Sequence, residues 1–168
     1  MKELQFVIYK YAKFSPADLA VKFWTRSEFV HTGFIYDYPT TIEPIGKTLF
    51  TLHWDYYSLT RQKHKRTAEI WSKYVPTDIY NTVKEFFEEL ARKQWPYDWK
   101  GILGFVIKVS DNKNKYFCSE GCAISLVRAG LWPKIKTEIV HPGSFRELLK
   151  VSGFKLKETI ETPLVFDK

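Results

Sequence analysis

The chain has 168 residues, 45% of them hydrophobic and 17% aromatic, and a net charge of +7. Those totals exclude a disordered chain, allow one domain with a real core, and raise affinity for nucleic acid, membrane surface or acidic polymer. Its apolar runs fall well short of the roughly 18 residues that span a bilayer.

The opening MKELQFVIYKYAKF reads as a strand and not a signal peptide, because it alternates and has no small-residue cleavage site. The expected location is therefore a cytoplasm, that of a cell or of an infected host. Leu4, Phe6, Ile8 and Lys10 fall on one face of this strand, and Gln5, Val7, Tyr9 and Tyr11 on the other. Ser15 and Pro16 start a short helix over residues 17–24, with Ser as the cap and Pro in the first turn. Residues 29–36, FVHTGFIY, are β-branched and aromatic and predict a strand. Residues 40–43 and 48–54 read as two more, separated by a turn at Pro44 and Gly46, and short turns predict an antiparallel sheet. The densest basic run, RQKHKR over 61–66, reads as a solvated loop. It has no interleaved aromatic residue, so no specific nucleic-acid partner is expected.

Residues 67–75 predict a further strand, ended by Pro76. Ile79, Val83, Phe86, Phe87 and Leu90 repeat at helical spacing over 78–93, with Glu85, Glu88 and Glu89 on the outer face. Trp95-Pro96 stops that helix. Asp98 caps a second one over 99–109, apolar almost all round and so expected to be buried. A polar loop over 110–115 leads into KYFCSEGCAISLVRAG, residues 115–130. Here an extended Tyr116-Phe117 precedes a helix that starts at Cys118 or Ser119 and ends at Gly130. Pro142-Gly143-Ser144 introduces a helix over 145–150, and residues 154–159 close as a strand. The pattern as a whole predicts one α+β domain spanning 1–168.

Chemistry concentrates at Cys118. A thiol at a helix start meets unpaired backbone N–H groups and the positive end of the helix dipole, which favour the nucleophilic thiolate. Cys122 shares a helical face with Leu126, the register of core packing. The two cysteines lie four apart in one predicted helix, a poor geometry for a bridge, so thiols in a reducing compartment are expected. CxxxC without a second cluster is weak evidence for zinc, and no metal or cofactor is expected. A nucleophilic thiol needs a base within reach. Of four histidines, His64 lies in the basic run and His141 in a loop before Pro142, whereas His31 and His53 stand on predicted strands. His31 is the candidate base, and Gly33 beside it marks a close approach of another backbone or a ligand.

SPADLAVKFWT, SEFVHTGFIY, TTIEPIG, PYDW and YFCSEGCAISLVRAGLWP together resemble the circularly permuted papain-like cysteine enzymes. These are the YiiX/YaeF-like amidases or peptidases of the NlpC superfamily, and the resemblance runs from about residue 18 to 145. The histidine preceding the cysteine is the permuted order. The resemblance implies a papain-like (NlpC-type) fold, with Cys118 on a central helix packed on a small antiparallel sheet that carries His31. Glu43 matches the third, polar member of the site, against the plainer reading of a surface strand residue. Tyr97 in PYDW matches a family motif and is expected near the pocket. The family commonly has a bulky apolar residue after Ser-Glu, so Gly121-Cys122 leads us to expect a wider site or altered substrate choice.

The reading that follows is a cysteine hydrolase that cleaves an amide or ester bond in a peptide, peptidoglycan fragment or lipid ester. The backbone N–H of Cys118 and a neighbouring donor would hold the oxyanion. Two rivals use the same sequence: a lipid acyltransferase at the same site, and a non-catalytic basic module on an anionic surface.

Overall fold

In the computed structural model, residues 1–11, 16–46, 52–59, 66–96 and 116–161 are described. They form a six-stranded antiparallel sheet and four α-helices, the mixed α+β arrangement expected from the pattern. β1 (Lys2–Lys10), β2 (Phe29–Asp37), β3 (Thr40–Gly46), β4 (Leu52–Ser58), β5 (Ala68–Val75) and β6 (Lys155–Ile160) lie in the order β4-β3-β2-β1-β5-β6. The helices are α1 (Pro16–Thr25), α2 (Thr77–Arg92), α3 (Cys118–Arg128) and α4 (Pro142–Val151). No described helix is long and apolar enough to cross a membrane.

β1 is one of the two central strands, paired with β2 on one side and β5 on the other. Both of its faces are buried, unlike the half-wet strand its alternation suggests. Leu4, Phe6 and Ile8 enter the main core with Phe34, Trp54, Phe87, Leu126 and Phe145. Val7 and Tyr9 enter a second cluster with Ile35, Ala68 and Ile70. The helix-spaced Val83, Phe86, Phe87 and Leu90 of α2 all face the main core.

Three expectations are corrected. Pro44 and Gly46 make no turn: β3 runs through both, with Pro44 opposite Trp54 and Gly46 opposite Leu52. The Trp54 N–H points away from β3, donating to the Trp95 carbonyl at 3.0 Å. Pro44 and Trp54 are therefore a non-hydrogen-bonded pair, and the missing proline N–H removes no bond between β3 and β4. The last helix starts at Pro142 and not at 145, because His141 is its N-cap: the ring Nδ1 accepts from the Ser144 N–H at 3.3 Å. Arg66, the end of the basic run, is not solvated. It pairs with buried Asp18 at 2.7 Å and ties α1 to the approach of β5. Residues 61–65 and the expected helix over 99–109 lie outside the described residues.

α3 begins at Cys118, with extended Phe117 as the N-cap and its N–H donating to the Glu120 carboxylate at 3.3 Å. It ends in a left-handed Gly130 at φ 72°. There the Leu131 N–H reaches the Leu126 carbonyl and the Gly130 N–H that of Val127, closing the last turn. Gly121 lets the fully buried Trp54 ring lie against the helix, since a Cβ at that position would stand 2.6 Å from the ring. Alanine would gain about 1 kcal/mol of helix propensity. The clash with a rigid, enclosed ring outweighs it, at about 1–3 kcal/mol. Gly121→Ala should therefore lower the denaturant midpoint in chemical unfolding, against the usual stabilising sign of Gly→Ala in a helix.

Candidate active site

Pairing in the sheet decides which side chains meet. Tyr9 of β1 lies directly opposite His31 of β2, and their rings stack with centroids 5.4 Å apart. Thr41 and Glu43 stand two apart on β3, so alternation puts them on one face. The same alternation puts Gly33 next to His31 on that face of β2. A Cβ at Gly33 would lie 3.0 Å from the Glu43 Cβ and 3.2 Å from its Oε2. Glycine therefore gives the Glu43 side chain room to cross β2 and reach the imidazole.

Glu43 is 2% exposed, and its carboxylate is satisfied by three donors. Oε1 accepts from the Tyr9 hydroxyl at 3.1 Å and the Thr41 hydroxyl at 2.9 Å. Oε2 lies 3.0 Å from His31 Nε2, which donates to it. With Nε2 engaged, Nδ1 is the ring nitrogen left for Cys118, to which His31 is also hydrogen-bonded. Burial pulls the His31 imidazole down. The hydrogen bond and charge of Cys118, followed by those of Glu43, outweigh burial and raise it from 6.5 to about 9. A thiol beside an imidazole held by a carboxylate can pass its proton to the ring, leaving a thiolate next to imidazolium.

The Cys118 side chain packs with Val21, Val30 and Phe117 and is 2% exposed. It still lines a cavity of about 10 Å³ with Val21, Thr25, Val30, Phe117, His141 and Pro142. Thr25 and His141 also line an open groove of about 610 Å³ between the end of α1 and α4. The cavity and the groove thus adjoin at those two residues. The segment carrying His141 is fastened to α3, because the Ser119 hydroxyl donates to the Val140 carbonyl at 2.6 Å.

Cys118, His31 and Glu43, remote in sequence, are brought into one hydrogen-bonded chain. Tyr97 and His64 lie outside the described residues. His53 sits on β4 beside Asp55 at 3.6 Å. Cys122 faces Thr32 Oγ1 at 3.5 Å and is fully buried, and burial pushes its thiol well above the ordinary range. The wider site expected from Gly121-Cys122 does not arise, since Trp54 occupies the space beside Gly121. Tyr9 and His141 join the site from outside the quoted motifs, and Thr41 joins it from within TTIEPIG, where it had been given no role. Tyr9 and Thr41 follow from strand alternation once the pairing is known. His141 carries no signal beyond its residue type. Among the described residues, no three His, Cys, Asp or Glu side chains converge as a metal-binding group.

No protein-family model matches this chain, and no curated protein is significantly similar to it. The resemblance to permuted papain-like enzymes therefore rests on the quoted motifs alone.

Two titrations test the electrostatics. The His31 ring should titrate near pH 9 by nitrogen-15 NMR, and Cys118→Ala should move that midpoint down by removing the sulfur's two contributions. Because the folded value is raised, the stabilisation from His31 protonation is complete below pH 6.5 and disappears as pH rises through about 9. His141 runs the other way. Burial lowers its pKa, so its neutral ring caps α4 above about pH 6.5, and that contribution is lost as pH falls. His141→Asn, a cap that does not titrate, should show a smaller drop in Tm between pH 7 and pH 5 than the unaltered protein.

Proposed function

We propose that this chain is a thiol hydrolase that works through Cys118, His31 and Glu43, in the manner of the permuted papain-like enzymes its motifs resemble. The observation that carries the reading is the chain of hydrogen bonds from Cys118 through His31 to buried Glu43. In this scheme Glu43 holds the Nε2–H tautomer and supports the imidazolium, so Nδ1 faces the thiol. The thiolate attacks an amide or ester carbonyl, and the leaving group departs with the proton from His31. Water, deprotonated by His31, then releases the acyl group from sulfur. The helix-start N–H of Cys118 is one donor for the developing oxyanion.

Iodoacetamide labelling across pH tests the nucleophile. Cys118 should react at pH 6–7 faster than an ordinary thiol of pKa about 8.5, and His31→Ala should abolish that advantage. A labelling rate that simply follows an ordinary thiol would remove the activated nucleophile. With an activated ester as substrate, His31→Ala should lower turnover about 10²- to 10⁴-fold, the usual scale of acid–base catalysis.

A second reading, in which the same thiol acts on lipid esters, is favoured by α1. That helix presents Leu19 and Phe23, 55% and 76% exposed, beside exposed Lys22 and Arg26. Its other side contributes Val21 and Thr25 to the Cys118 cavity. A basic, apolar surface of this kind suits the interface of an anionic membrane. Under this reading Phe23→Ser lowers vesicle binding at low salt, and mass spectrometry finds an acyl adduct on Cys118 after incubation with phospholipid.

A further inference from the structure

The thiol-hydrolase mechanism leaves unused one half-buried imidazole on the cavity that Cys118 lines. His141 lines the Cys118 cavity and also the open groove, so it borders both the thiol and the nearest open surface. Its Nδ1 accepts from the Ser144 N–H at 3.3 Å. In a neutral ring that acceptor bond puts the proton on Nε2. The ring is held from both sides in the chain. Ser119 of α3 fastens Val140 at 2.6 Å, and the Ser144 hydroxyl donates to the His141 carbonyl at 2.9 Å. Gly143 packs against Ser27, where a Cβ would come within 2.4 Å of the hydroxyl oxygen. This keeps the first turn of α4 against the residues that follow α1.

We infer that His141 is a catalytic residue whose Nε2–H is the second oxyanion donor, acting with the backbone N–H of Cys118 across the cavity. The inference rests on the thiol-hydrolase reading and extends it to a residue outside the motifs that suggested that reading. Its balance is that of acyl transfer. A sulfur–carbon bond forms, the carbonyl π pair moves onto oxygen, and both N–H groups hydrogen-bond to that oxygen. The pair then returns, the carbon–leaving-group bond breaks, and the leaving group takes the proton held by His31. His141 neither gains nor loses a proton. Burial, which lowers its pKa, is consistent with a ring that stays neutral near pH 7.

The test compares two electrophiles on the full chain. p-Nitrophenyl acetate acylates sulfur through a tetrahedral oxyanion, whereas iodoacetamide alkylates it at a saturated carbon and forms none. His141→Ser keeps a good N-cap and has no donor long enough to cross the cavity. His141→Asn keeps both the cap and a shorter N–H donor. Rates are read by intact-mass spectrometry against a Cys118→Ala background. The expected result is about a 100-fold loss of acetylation in the Ser variant, the scale of one oxyanion donor. Alkylation should be unchanged, and the Asn variant should fall between the two. An equal loss with both electrophiles, or no loss with either, overturns the assignment. A melting profile for the Ser variant far below that of the Asn variant, with both reactivities falling alongside it, also overturns it, because the residue is then only a cap. If the unaltered protein itself reacts with neither electrophile, the thiol-hydrolase reading has failed, and this inference with it.

Discussion

A carboxylate buried to 2% exposure between strands is the constraint on which the rest of the site depends. Removing Glu43 from water costs several kcal/mol unless every lone pair finds a donor. The donors come from three adjacent strands: Tyr9 from β1, His31 from β2 and Thr41 from β3 itself. That accounting works only in one register. A one-residue slip of β3 against β2 would turn Glu43 to the opposite face, into the aromatic core around Phe34 and Trp54. Gly33 is part of the same constraint, since any side chain there would push the carboxylate off β2.

Packing fixes α3 against this sheet. Trp54 fills the notch left by Gly121, Thr32 meets Cys122, and Leu126 is sealed in the main core. These contacts lie within three turns of the helix start and set where the sulfur sits relative to His31. Enclosure then strengthens the electrostatics, because the imidazole and sulfur interact in surroundings far less polarisable than water. The same enclosure pushes the Cys122 thiol well above its ordinary range and keeps it protonated.

His31 and His141 are driven in opposite directions. Cys118 and Glu43 together raise His31 to about 9, while His141 has burial alone and is pushed down. Environments that separate like groups in this way allow one ring to carry charge and the other to remain a neutral hydrogen-bonding group.

Much of this was legible in the chain itself. The helical spacing of Val83 to Leu90, the β-rich run at 29–36 and the Gly130 stop follow from periodicity and glycine geometry. So does the start of a helix at Cys118, and these features depend only on local backbone physics. The quoted motifs brought Cys118, His31 and Glu43 together as candidates. Tertiary structure alone decided that β3 continues through Pro44, because that depends on which way the Trp54 N–H points. Folding also buried Tyr9 on a second face, paired Arg66 with Asp18 and set His141 on the cavity that Cys118 lines. Each of these joins residues distant in sequence, and no local pattern encodes the partner that a side chain meets after the strands have paired.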